Sequence, residues 1–149
     1  MTLSLFSDEY FMQVALKEAQ KAFDADEVPV GAVIICNNTI IAKAHNFTQR
    51  LNDATAHAEM QAYTSAAAFL GSKYLNECTL YVSLEPCFMC AGAAMWTQLK
   101  RIVYAARDTK KGYSLSQMPI IHPKTEVLGG VLEQEAALLL KTFFAKKCR

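Results

Sequence analysis

The chain has 149 residues, 52% hydrophobic and 19% charged, with a formal net charge of +1. Those values fit one globular domain, 1–149, long enough to enclose a sizeable core, and exclude a strongly basic nucleic-acid-binding module. No stretch approaches the ~20 apolar residues that a spanning helix requires, so no membrane association is expected. Met1 to Tyr10 lacks a basic start followed by an apolar run, so a secretory signal is not visible and a cytoplasmic location is expected.

In chain order, Ser7 can cap a helix whose first turn carries Asp8 and Glu9; Phe11, Val14, Ala15 and Ala22 recur at helical spacing and predict a helix to about Phe23. Pro29 to Cys36 and Thr39 to Ala44 are β-rich runs separated by Asn37-Asn38. Asn tolerates the positive φ of a tight turn, so these read as a hairpin. His45 to Thr55 is polar and irregular. Asp53 or Thr55 could cap a helix from about Ala56 to Leu70, closed by Gly71. Cys78 to Leu84 suits a buried strand, and Pro86 fits the first turn of a helix over about Cys87 to Gln98. Arg101 to Ala106 predicts a fourth strand, followed by a long polar loop to His122-Pro123. A short strand near Thr125 to Leu128 and a helix from about Leu132 to Lys147 complete the pattern. Strands alternating with helices after an opening hairpin imply an α/β fold, a mixed sheet covered by helices.

Five cysteines, an odd number, argue against a disulfide framework and for a reducing compartment. Cys36 and Cys78 sit in or beside apolar runs and read as ordinary buried thiols; terminal Cys148 receives no role. Cys87 and Cys90 alone have ligand spacing. Three apart at the start of a helix, they project from nearly one side, and the positive pole of the helix favours thiolate. With His57 they form a soft donor set suited to Zn²⁺, with one tetrahedral position left for water. Glu59 is then free to move protons, and His57-Ala58-Glu59 with Pro86-Cys87-Phe88-Met89-Cys90 matches the H-x-E…P-C-x-x-C arrangement of zinc deaminases.

One geometric condition accompanies that assignment. On an ideal helix residues two apart point in largely opposite directions, since each step turns ~100°. His57 and Glu59 can therefore share a site only if His57 occupies the cap or first turn. Competing readings are a closed structural zinc site, with Cys36, Cys78, His45 or His122 as fourth ligand, and a redox Cys-x-x-Cys pair, for which a thioredoxin-like βαβ context is missing. Two basic clusters, Arg107-Asp108-Thr109-Lys110-Lys111 and Lys146-Lys147-Cys148-Arg149, read individually as a solvated loop and a helix end suited to the macrodipole.

Taken together, the sequence resembles the cytidine/deoxycytidylate deaminase superfamily and, more narrowly, the bacterial tRNA-specific adenosine deaminases. The likeness runs through Asp26-Glu27-Val28-Pro29-Val30-Gly31-Ala32-Val33, Ala44-His45-Asn46 and Thr55-Ala56-His57-Ala58-Glu59-Met60. It continues through Thr79 to Cys87, Cys90-Ala91-Gly92-Ala93, Ala105-Ala106-Arg107-Asp108, Gly129-Gly130-Val131-Leu132 and Phe143-Phe144. Ala54 replaces a usual proline, and Thr109-Lys110-Lys111-Gly112-Tyr113-Ser114 replaces a loop that is usually rich in Gly, Ala and Ser. The resemblance implies a three-layer cytidine-deaminase-like fold with a mixed five-stranded sheet and helices on both faces. It implies His57, Cys87 and Cys90 as zinc ligands and Glu59 as proton shuttle. It further implies Asn46, Val30 and Ala58 as contacts to the flipped adenine, and Asp108 as a contact to the flanking nucleotide. The implied reaction is hydrolytic deamination of adenosine to inosine at the wobble position, in the anticodon loop of a tRNA, by a homodimer. Free bases or nucleosides (guanine, cytosine, cytidine) are the alternative substrates, and a zinc-stabilised binding module is the non-enzymatic alternative.

Overall fold

The computed structural model describes residues 6–147. Its elements, in order, are α1 (Asp8–Asp24), β1 (Gly31–Cys36), β2 (Thr39–His45), α2 (Ala58–Leu70), β3 (Cys78–Leu84), α3 (Phe88–Thr97), β4 (Arg101–Ala106), β5 (Glu126–Leu128) and α4 (Glu133–Lys147), with a single 3₁₀ turn at Tyr113–Leu115. The strands form one mixed sheet in the order β2-β1-β3-β4-β5. β1 is antiparallel to both β2 and β3, whereas β3, β4 and β5 run parallel. Asn37 and Asn38 adopt φ of 51° and 61°, the double positive φ that lets a two-residue turn match the twist of its strands.

Alternation along the central strands creates two cores. Ala32, Ile34, Leu80, Val82 and Ile102 face α2 and α3, packing on Ala62, Tyr63, Ala66 and Ala94. Val33, Ile35, Tyr81, Val103 and Ala105 face α1 and α4, packing on Phe11, Met12, Ala15 and Ala136. Burial on both faces explains why β1 reads as a continuous apolar run and not as an alternating one. Gly31 is where α1 lies directly against the sheet: a Cβ there would run into the Ala15 carbonyl and the Ala19 nitrogen.

α1 is tied across the sheet by its first turn. Ser7 Oγ accepts the N–H of Tyr10. Asp8 accepts two hydrogen bonds from the Arg101 guanidinium, at 2.7 and 2.9 Å, and one from the Tyr81 hydroxyl at 2.8 Å. The Arg101 bonds, helped by Tyr81 and opposed by burial, hold the Asp8 carboxyl below its ordinary 3.8. Asp8→Asn should cost ~1–3 kcal/mol at neutral pH. Because the folded pKa is the lower one, that contribution is present above the unfolded value and is lost as pH falls through the folded value. Urea unfolding of wild type and variant should therefore converge in acid; a gap that persists there unchanged contradicts the ion pair as its source.

Two helix starts differ from the sequence expectation. α2 begins at Ala58, with His57 as its cap, and α3 begins at Phe88, with Cys87 as its cap. Asp53 does not cap α2: its carboxylate accepts the N–H and hydroxyl of Thr55, closing a local turn. Pro86 precedes the α3 cap because Tyr113 N–H bonds the Pro86 carbonyl and Cys87 bridges Gly112, drawing this segment out straight. Among the described residues no helix is long and apolar enough to cross a membrane.

Candidate active site

The two helix caps meet. His57 has φ −69°, ψ 154° and Cys87 has φ −72°, ψ 175°, so both are extended residues immediately ahead of a helix. That backbone satisfies the condition on His57: outside the helix, its ring turns to the same side as Glu59. Cys90, one turn into α3, completes the group, and the three ligand atoms lie within 4.8 Å of one another. His57 Nδ1 is 3.6 Å from each Sγ.

The geometry fits zinc. With Zn–S of ~2.3 Å and Zn–N of ~2.0–2.1 Å, tetrahedral angles give N···S separations of about 3.6 Å. The electrostatics agree: the Cys90 thiol, then His57, draw the Cys87 pKa down to about 4, while Cys87 and burial push Cys90 up. Two sulfurs this close cannot both be thiolates without a cation between them, and a dication would displace the remaining proton. Cys36 and Cys78 are register partners on β1 and β3 and do not join this group, nor do His45 or His122 among the described residues. The fourth protein ligand of a closed structural site is therefore not assembled here.

Glu59 lies beside the ligands and is 4% exposed. Burial lifts its carboxyl to about 7, against its own backbone N–H, with the Cys87 charge adding to the rise. A carboxyl poised there can take and return a proton near neutral pH. Behind it, the buried Tyr63 hydroxyl donates to the Cys90 carbonyl at 3.0 Å and pins α2 to α3.

An open cavity of about 710 Å³ leads to these groups, with Val30, Asn46, His57, Glu59, Cys87 and Asp108 in its lining. Asn46 ends β2. Its Oδ1 accepts Ala58 N–H at 2.8 Å and its Nδ2 donates to the Val28 carbonyl at 3.0 Å. One lone pair and one amide proton remain for a ligand. Ala58 is fully buried, and its N–H donates to Asn46 Oδ1. Asp108 sits at the mouth, where its Oδ1 accepts the N–H groups of Lys110 and Lys111 at 3.0 Å each. The first basic cluster thus rims the cavity, through Arg107, Lys110 and Lys111. In the second, Lys147 pairs with Asp26 at 2.6 Å and Lys146 lies over the Phe23 ring; Cys148 and Arg149 fall outside the described residues.

Sequence reasoning missed two buried acids. Glu27 accepts Thr48 Oγ and the N–H groups of Gln49 and Arg50, which outweigh the effect of burial and lower its pKa. Glu85 accepts Asp108 N–H at 3.1 Å and Ser114 N–H at 3.0 Å. Each is 1% exposed. The available signal was an acid set among apolar neighbours, since buried carboxylates need partners. Leu140 and Phe144 of α4, which also line the cavity, were not anticipated there either.

Comparison with known proteins finds deaminases of more than one substrate class. A model of the MafB19-like deaminase family matches residues 6–147. A relative from Aquifex aeolicus, a tRNA-specific adenosine deaminase, is 43% identical over 143 residues, covering 93% of this chain and 94% of its own. A solved structure from work on A-to-I editing by tRNA:A34 deaminases at the wobble position superposes with a TM-score of 0.83 at 41% identity, over 88% of this chain and 99% of that one. A guanine deaminase from Nitrosomonas europaea gives a TM-score of 0.80 at 26% identity, over 97% of this chain and 87% of its own.

Proposed function

Since the chain belongs to the MafB19-like deaminase family, we propose that its residues 1–149 act as one zinc-dependent domain that converts adenosine to inosine at the wobble position of tRNA. It is a hydrolytic enzyme acting on a carbon–nitrogen bond of an amidine. The observation that carries the reading is the grouping of His57, Cys87 and Cys90 around one point, with buried Glu59 beside it and outside the ligand set.

His57, Cys87 and Cys90 hold the metal, which when bound supplies a Lewis acid that makes water nucleophilic near neutral pH. Glu59 takes a proton from the attacking water as the C6–O bond forms and delivers it to N1 of the ring. The second water proton passes through the same carboxylate to the amino nitrogen, the C6–N bond breaks, and ammonia leaves hypoxanthine in the chain. Val30 forms an apolar wall against the base, and Asn46 offers its remaining donor and acceptor to the ring edge. An anticodon loop suits such a site because its bases are already unpaired. Asp108 and the Arg107, Lys110 and Lys111 rim face the nucleotides on either side.

A homodimer fits the surface of α3, where the large apolar side chains Phe88 and Trp96 are 50% and 77% exposed and would gain cover from a second copy. A compartment that keeps thiols reduced, the cytoplasm, suits both the ligand set and the substrate.

The guanine deaminase likeness favours a second reading, deamination of a free base or nucleoside. Incubation of the zinc-loaded protein with a tRNA carrying adenosine at the wobble position, and separately with adenosine, guanine, cytosine and cytidine, separates them. Inosine in the tRNA with no turnover of the small molecules is expected. Turnover of guanine with intact tRNA would replace the proposal by its rival.

A further inference from the structure

The mechanism leaves Glu85 unused, although it is 1% exposed and directly precedes Pro86-Cys87. A carboxylate buried to that degree is costly unless its oxygens are bonded, and both are. Oε1 accepts Asp108 N–H and Oε2 accepts Ser114 N–H, so its two oxygens grip the two ends of one loop. Its own N–H donates to the Ala106 carbonyl at 2.8 Å, just before that loop begins. Between the grips the loop is moulded on the carboxylate: a Cβ on Gly112 would stand 2.5 Å from Glu85 Oε2 and 2.6 Å from the Asp108 carbonyl. Tyr113 N–H to the Pro86 carbonyl and the Cys87–Gly112 bridge stitch the same loop to the turn bearing the first cysteine. The segment so fixed contains Asp108, Lys110 and Lys111, all in the lining of the cavity.

We infer that Glu85 is a positioning residue for substrate: it holds the 108–114 loop, and with it the Asp108 carboxylate and the Lys110 and Lys111 ammonium groups, in register with the reacting centre. The inference rests on the proposed polynucleotide substrate, because those loop groups face nucleotides flanking the target and not the base itself. Glu85, although it borders the cavity, acts through the backbone N–H groups of Asp108 and Ser114 that occupy its two oxygens. A polynucleotide should therefore feel its loss as weaker binding, with the chemistry left intact once bound.

Glu85→Gln tests this, since the amide keeps the shape but turns an N–H donor towards an N–H of the loop. On an anticodon stem-loop RNA with adenosine at the wobble position, KM should rise about tenfold or more while kcat stays within about twofold. One zinc per chain should be retained, and anisotropy with the labelled RNA should show a matching loss of affinity. Gly112→Ala, which pushes the loop off the carboxylate from the other side, should reproduce the same split and serves if the first variant folds poorly. Glu85→Asp, keeping the charge on a shorter stem, should recover part of the lost affinity. Unchanged KM in both Glu85→Gln and Gly112→Ala overturns the inference, as does a fall in kcat or in zinc content at unchanged KM. Wild-type protein is the control: if it forms inosine and the variants match it, the positioning role alone fails; if it forms none, the polynucleotide reading fails and the inference with it.

Discussion

Glu59→Ala is expected to reduce deamination by at least three to four orders of magnitude while the protein keeps its zinc. A positioned acid–base group contributes typically ~10²–10⁴-fold, and in the proposed mechanism one carboxylate serves both the water and the leaving amine, so its removal would interrupt two proton transfers. Zinc should stay because the ligand group is His57, Cys87 and Cys90, without a Glu59 oxygen. The fold should also survive. Glu59 is 4% exposed, and a polar side chain in the interior is held there at a cost. Truncation removes that cost, so Tm should be equal to or above the wild-type value, the usual trade between stability and activity at a catalytic group. Elemental analysis, a melting curve and a product assay on one preparation check all three. Retained turnover would remove Glu59 from the mechanism, and loss of zinc would recast it as a ligand.

The second large effect concerns the metal itself. Cys90→Ala should lose both zinc and activity, and chelation of the wild-type protein should do the same. Cys90 is fully buried in the first turn of α3, close to the start of α2, so an ion held there would link two distant parts of the chain, His57 at one and Cys87 with Cys90 at the other. A ligand that binds only the folded state at a thousandfold above its Kd stabilises by ~4 kcal/mol. For a chain of this size that is on the order of 10 °C in Tm. Cys36→Ala is the matched control, because Cys36 pairs with Cys78 on neighbouring strands away from the ligand group. A Cys90→Ala protein with full zinc, or a wild-type Tm indifferent to chelator, contradicts the assignment.

Much of this arrangement is legible in the residues. The hairpin is announced by Asn37-Asn38, the two cores by apolar runs in β1, β3 and β4, and the donor set by the spacing of His57, Cys87 and Cys90. The helix starts at His57 and Cys87 were misplaced by one or two residues for a physical reason. Local capping rules favour Asp53, Thr55 and Pro86, but long-range bonds override them. Asn46 Oδ1 takes the N–H of Ala58, and Tyr113 with Gly112 draws Pro86-Cys87 straight. That override is what turns His57 towards Glu59, so the unreadable part of the backbone is the part that builds the site. Glu27 and Glu85 were hidden likewise. Their partners lie more than twenty residues away, at Thr48 to Arg50 and at Asp108 and Ser114, and nothing in the local pattern joins them. Ala58 adds a contact that the local pattern does not announce: its N–H donates to Asn46 Oδ1, twelve residues earlier.

Zinc K-edge absorption on the substrate-free protein addresses the central claim most directly. The account predicts one zinc per chain, bound by two sulfurs, one nitrogen and one oxygen of solvent, with the same spectrum in Glu59→Ala. A shell of four protein donors, or an oxygen that disappears in that variant, would contradict it.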